Sequence, residues 1–161
     1  MADHQQAGVA QAGGTQDGPE FIGVALQVSV KGVNRCTDRA SSRAKIDENI
    51  RRIGEFTTTA ANFLRFFYGL PVRLVALPEY TLTGFPMRES VQEWRDRACL
   101  EQNGPEYEAL GKIAQANNLY LSGNVYEIDP HFPELYFQTC FIIGPNGNVI
   151  LRYRRLTSCF E

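Results

Sequence analysis

Residues 74–86 read LVALPEYTLTGFP. With Val72, the residues Leu74, Val75, Ala76 and Leu77 make an apolar run, broken only by Arg73, that suits a strand buried on both faces of a parallel or mixed sheet. Pro78 cannot donate a ladder hydrogen bond, so it closes the strand and delivers Glu79 to the strand's carboxyl end. In open α/β sheets that end is where ligands bind. Gly84 can take a positive φ and Pro86 stiffens the exit, which describes a shaped turn. Glu79 is the candidate catalytic acid/base. A solvated loop carboxylate is the alternative reading of that residue taken alone.

Upstream, Ile46, Ile50, Ile53, Thr57, Ala60, Leu64 and Phe67 recur at spacings of four and three, which predicts a long helix over residues 43–68 with one buried stripe. Gly69 and Pro71 end it. Before it, FIGVALQVSV (residues 21–30) predicts a first strand, so strand, helix and strand imply a parallel pair. Residues 1–19 are rich in Gln, Gly and Ala and are expected to form a disordered tail.

Downstream, Met87, Val91, Trp94 and Ala98 predict a surface helix or a lid beside Glu79. Asn103 offers an N-cap, Pro105 a first-turn position and Glu106 a capping carboxylate for a helix whose buried stripe is Tyr107, Leu110, Ile113 and Ala114. That helix stops at Asn117 and Asn118, and Leu119 to Glu127 predicts a third strand. Two apolar runs around Pro145-Asn146-Gly147 predict a closing hairpin. Arg152, Arg154 and Arg155 on its second strand read as a solvated or salt-bridged strand end.

The 161 residues are 43% hydrophobic and 21% charged, ordinary for one globular domain. A net charge of −2 supplies no basic field for nucleic acid. Neither G-x-G-x-x-G nor a phosphate-binding G-x-x-x-x-G-K-[ST] occurs. Cys36, Cys99, Cys140 and Cys159 are widely spaced, and His4 and His131 are the two histidines, which suggests neither a zinc site nor a disulfide framework. Reduced thiols and the want of a leader-like or membrane-spanning run predict a cytoplasmic protein with no membrane partner. A His131 pairing with Cys140 or Cys159 has no support in the spacing.

Read together, these blocks resemble the amino-terminal half of the nitrilase superfamily, the carbon-nitrogen hydrolases. The resemblance runs from about Glu20 to Arg155. It rests on LVALPEYTLTGFP, on Asn49 and Ile53 in the first helix, on GPEYEALGKIAQANNLYLSGNVYE, and on the TCFIIGPNGNVILRYRR hairpin. It implies an α/β fold, the nitrilase-type α-β-β-α sandwich, here incomplete because the carboxyl-terminal half is absent from residues 20–161. It also implies a site of glutamate, lysine and cysteine that hydrolyses a non-peptide C–N bond in a small amide or nitrile, without metal or organic cofactor, in a homo-oligomer, with a homodimer the expected assembly. The glutamate's role carries over to Glu79 and the neighbouring Tyr80 becomes a candidate substrate contact. The family's Tyr-Arg-Lys reads Tyr153-Arg154-Arg155 here, so the lysine's position falls to Arg155. Sliding Arg154 onto the site would reverse its face. The nucleophilic cysteine belongs to a later strand, beyond the residues of this chain, and Cys36, Cys99, Cys140 and Cys159 match no such position. On this reading the full-length protein is the enzyme and the fragment is inactive. The alternative is an inactive relative that binds a small ligand or another subunit.

Overall fold

A computed structural model describes residues 18–155. Residues 1–17 of the expected 1–19 tail, and Cys159, lie outside the described residues. The chain builds β1 (Ile22–Ala25), α1 (Arg39–Tyr68), β2 (Val72–Ala76), α2 (Val91–Ala98), β3 (Leu100–Glu101), α3 (Pro105–Asn117), β4 (Tyr120–Ile128), β5 (Phe137–Ile143) and β6 (Val149–Arg154). One mixed sheet runs β1-β2-β4-β5-β6, and the two-residue β3 pairs with β4. β1, β2 and β4 are parallel, whereas β5 and β6 return antiparallel.

The long helix forms as the periodicity predicts, but it starts one turn earlier than residue 43. Asp38 caps it: its carboxylate accepts from the Ser41 backbone N–H at 2.7 Å while the Ser41 hydroxyl accepts from the Asp38 N–H, a reciprocal box. Gly69, at φ 68°, closes the other end. The buried stripe runs Ser42, Ile46, Asn49, Ile50, Ile53 and Thr57, and then fades. Phe67, expected on the stripe, is 63% exposed and meets the Phe63 and Phe66 rings of its own helix instead of the core.

α1 and α3 lie together on one face of the sheet, where Ile46, Ile53, Val75, Leu110, Ala114, Leu121, Phe141 and Ile143 are all buried. The Arg43–Glu106 ion pair at 3.0 Å ties the two helices at their amino ends. Glu106 therefore faces a guanidinium rather than capping α3, and the N-cap is Gly104, not Asn103, which adopts φ 63° one residue earlier. Midway along α3, Gly111 abuts the hairpin turn: a Cβ there would run into the Gly147 carbonyl oxygen.

The opposite face is bare over much of its area among the described residues. β2 is therefore not buried on both faces as its apolar run suggests, since Leu74 is exposed beside Tyr120, its β4 partner. Leu74, Tyr120, Ile142 and Ile150 line an apolar hollow of about 610 Å³ on this side. β1 is also shorter than residues 21–30. Its pairing with β2 stops at Ala25, after which Leu26 donates a last bond to the Ala76 carbonyl at 2.9 Å.

Candidate active site

β2 hands its chain to a turn that is fixed from several sides. Leu77 donates to the Ser122 carbonyl at 2.8 Å, Pro78 ends the pairing, and Glu79 follows. Tyr80 then takes φ 60°, a conformation costly for a residue with a Cβ and sustained by what surrounds it. Its carbonyl accepts from Gly84 N–H at 2.8 Å, and Gly84 itself sits at φ 73° with a Cβ position only 3.1 Å from the Gly32 Cα. The Thr81 hydroxyl donates back to the Pro78 carbonyl. From α1, the buried Asn49 amide donates to the Leu82 carbonyl at 2.8 Å and to the Lys31 carbonyl at 2.9 Å. An irregular segment next to a sheet must have its polar groups satisfied, and these bonds do so.

Glu79 projects onto the bare face of the sheet, where β5 and β6 bring two further side chains to it. Arg155, 76 residues away, places Nη2 3.1 Å from Glu79 Oε1. Gln138 on β5 donates from Nε2 to the same oxygen at 2.8 Å and accepts from Arg155 Nη1 on its Oε1 at 2.7 Å. The three groups close a ring of hydrogen bonds. Gln138 Nε2 also reaches Asn124 Oδ1 on β4 at 3.2 Å, and the Asn124 amide donates to Cys140 Sγ at 3.5 Å. Glu79 and Arg155 are 44% and 39% exposed in their side chains, so this is an open, solvated cluster.

The other two arginines of the strand turn the opposite way. Arg154 Nη2 pairs with Asp129 at 2.6 Å and lies over the Phe137 ring at 4.2 Å. Arg152 Nε pairs at 2.9 Å with Glu127, a carboxylate fully buried, and Glu127 also accepts from the Tyr107 hydroxyl. Burial, reinforced by the Glu127 charge, pushes the Tyr107 phenol far up. Asp129 accepts from the His131 backbone N–H at 3.0 Å and meets its ring at 2.9 Å, and these bonds together with Arg154 hold its carboxyl well below the usual carboxylate range. His131 is engaged by Asp129, not by Cys140.

Tyr80 stacks on Tyr126 (centroids 5.9 Å apart, 17° between planes) and packs on Phe85 at 5.6 Å. It lines a cavity of about 290 Å³ with Gly32, Asn34, Phe85 and Met87. α2 is a packed helix rather than a detached lid: Trp94 is 1% exposed and meets Tyr126 edge-on at 5.6 Å. Among the described cysteines, Cys140 is exposed, Cys36 partly buried and Cys99 buried, and all three are free thiols. Burial pushes the Cys99 thiol up to about 12. No group of three or more His, Cys, Asp and Glu residues converges among the described residues, and no described helix is long and apolar enough to cross a membrane.

Glu79, Tyr80 and Arg155 were legible as site candidates, and Glu79 and Arg155 meet. Gln138 and Asn124 were not. Their signal is the period-two alternation of β4 and β5, which sets Asn124, Gln138 and Cys140 on one face.

The sequence profile of the carbon-nitrogen hydrolase family matches residues 25–158. A formamidase of Bacillus thuringiensis (strain Al Hakam) is 30% identical over 116 residues, covering 71% of this chain and 32% of that enzyme, so the chain spans about a third of the length of the curated relatives it matches. Among solved structures, Saccharomyces cerevisiae Nit3, a member of branch 10 of the nitrilase superfamily, is similar with a TM-score of 0.56 at 20% identity, over 70% of this chain and 40% of Nit3. A carbon-nitrogen hydrolase of Helicobacter pylori G27 aligns with a TM-score of 0.50 at 14% identity, over 70% of this chain and 36% of its own. With the profile spanning most of the sequence and the fold shared with superfamily members, the chain belongs to the carbon-nitrogen hydrolase family.

Proposed function

We propose that the protein containing this chain hydrolyses the C–N bond of a small amide or nitrile, with Glu79 as general base and acid and Arg155 as the cation beside it. The observation that carries this reading is the 3.1 Å approach of Arg155 to Glu79 at the carboxyl end of β2. The likeness to a formamidase supports a short amide as substrate. The reading takes as nucleophile the cysteine that the family carries on a later strand of its domain.

In this mechanism Glu79 takes the thiol proton and the thiolate attacks the amide carbonyl carbon. The Arg155 guanidinium donates to the developing oxyanion, at the cost of a bulkier and planar group where a compact ammonium would serve. Collapse breaks the C–N bond as Glu79 returns the proton to the departing ammonia. Glu79 then deprotonates the water that attacks the thioester, and the free acid and the thiol are released. Tyr80, fixed against Phe85 and Tyr126, forms part of the wall for the acyl group. The same reading makes the protein a cytoplasmic homodimer, the first supported by the free thiols among the described residues.

The test is ammonia release from formamide and other short aliphatic amides by the full-length protein. Glu79→Gln should abolish it; undiminished turnover would exclude Glu79 as the base. A parent protein that binds short amides without releasing ammonia would favour a ligand-binding role instead.

A further inference from the structure

We propose that Gln138 is a positioning residue that holds Glu79 and Arg155 in fixed register with one another; its bearing on turnover rests on the hydrolase reading above. The direct Glu79–Arg155 pair joins two long side chains, each more than a third exposed. Such pairs are weak and readily exchange rotamers in water. Gln138 changes that geometry. Its backbone carbonyl accepts from the Arg155 N–H at 2.9 Å, so the start of its side chain is fixed relative to Arg155 by the sheet itself. Its amide then spans the pair, donating to Glu79 at 2.8 Å and accepting from Arg155 at 2.7 Å.

The orientation of that amide is determined by its neighbours. The nitrogen faces two acceptors, Glu79 Oε1 and Asn124 Oδ1, and the oxygen faces the guanidinium. Rotating it by half a turn would set its oxygen against a carboxylate and its N–H groups against a cation. A guanidinium has parallel N–H groups, and here Nη1 and Nη2 serve Gln138 and Glu79 separately. Three planar groups thus fix each other's rotamers, which a general base needs if its lone pair is to face the proton it takes. A glutamine at this position also suits an arginine better than a lysine at 155. An ammonium lacks the paired, coplanar donors that the Gln138 oxygen and the Glu79 carboxylate share.

Two measurements on the full-length protein decide the matter. The first needs no activity. Side-chain amide hydrogen exchange, read by ¹⁵N–¹H spectra, should be about tenfold slower at Gln138 than at the exposed Gln115, and should rise towards the Gln115 rate in Glu79→Ala, where only the Asn124 acceptor is left to the amide nitrogen. Equal rates in the parent protein overturn the bridge. The second is kinetic. Gln138→Met keeps the side chain's length and loses all its side-chain hydrogen bonds, so kcat should fall on the order of tenfold with KM within about twofold, and Gln138→Asn should recover part of the loss. An unchanged kcat, or a loss carried by KM alone, overturns the positioning role. A parent protein without turnover sinks the hydrolase reading and leaves the bridge to the exchange measurement, which also serves if Gln138→Met fails to fold.

Discussion

Arg154 and Arg155 are adjacent in sequence and serve opposite faces of the sheet: Arg154 pairs with Asp129 at 2.6 Å on the side of the helices, and Arg155 reaches Glu79 at 3.1 Å on the bare side. Strand alternation alone produces this division. It excludes the slipped register in which Arg154 would face Glu79. Arg155→Lys should therefore lower ammonia release, on the order of tenfold in kcat, because one ammonium replaces two directed donors. Arg154→Lys should change it by less than about twofold. Steady-state kinetics on the two variants check the contrast, and a gain with Arg155→Lys would mean that the guanidinium is a defect.

Glu89 supplies an acid-sensitive clamp on the loop after Glu79. Burial works to raise its pKa, but the backbone N–H groups of Arg88 and Met87 and the Asn34 amide outweigh it, bringing the carboxyl down to about 2. A carboxylate depressed on folding contributes stability that is present above its unfolded pKa, about 4.3, and is lost as the pH falls through the folded value. Urea midpoints should accordingly drop between about pH 4.5 and about pH 2, and Glu89→Gln should flatten that part of the profile.

The thiols should separate by accessibility. At about pH 8, Cys140 should react with a disulfide reagent in the folded chain, whereas Cys99, buried and with its thiol pushed up to about 12, should react only on unfolding. Mass spectrometry of labelled peptides distinguishes them, and early modification of Cys99 would contradict its place in the core.

Gly111→Ala should destabilise the fold by about 1–3 kcal/mol, since the new methyl would run into the Gly147 carbonyl oxygen. The turn cannot recede easily, because Gly147 is held at φ 84°. Gly23→Ala, with nothing within 4 Å, should shift stability much less. Chemical denaturation of both variants provides the comparison.

Capping gives a further check at the head of α1. Asp38→Ala removes the acceptor for the Ser41 N–H and should lower the denaturation midpoint, measured in the same way.

What could be read in the sequence follows from how local each signal is. The α1 stripe, the Pro78 stop before Glu79 and the Asn146-Gly147 hairpin each declare themselves within a few residues, and each is present. β3 is a strand of two residues, Leu100 and Glu101, that exists only because β4 runs beside it, and no propensity could announce it. The exposure of Leu74 depends on what lies over the sheet, which its own apolar run does not encode. The site divides in the same way. Glu79 follows from the strand stop, and the position of Arg155 from a motif, but Gln138 matters only through two partners brought to it by strand pairing.

Asn49 carries a consequence for the genetics of this protein. It lies on α1, yet its amide carries the Leu82 and Lys31 carbonyls that shape the chain around Glu79. With an apolar residue in its place, the buried Leu82 carbonyl would lose this donor and the Lys31 carbonyl its tether, and the turn would be free to drift while the helix stayed folded. In a screen for lost function, alleles of Asn49 would therefore cluster with those of Glu79, and a map drawn along the primary structure would mistake a distant hinge pin for a second centre of chemistry.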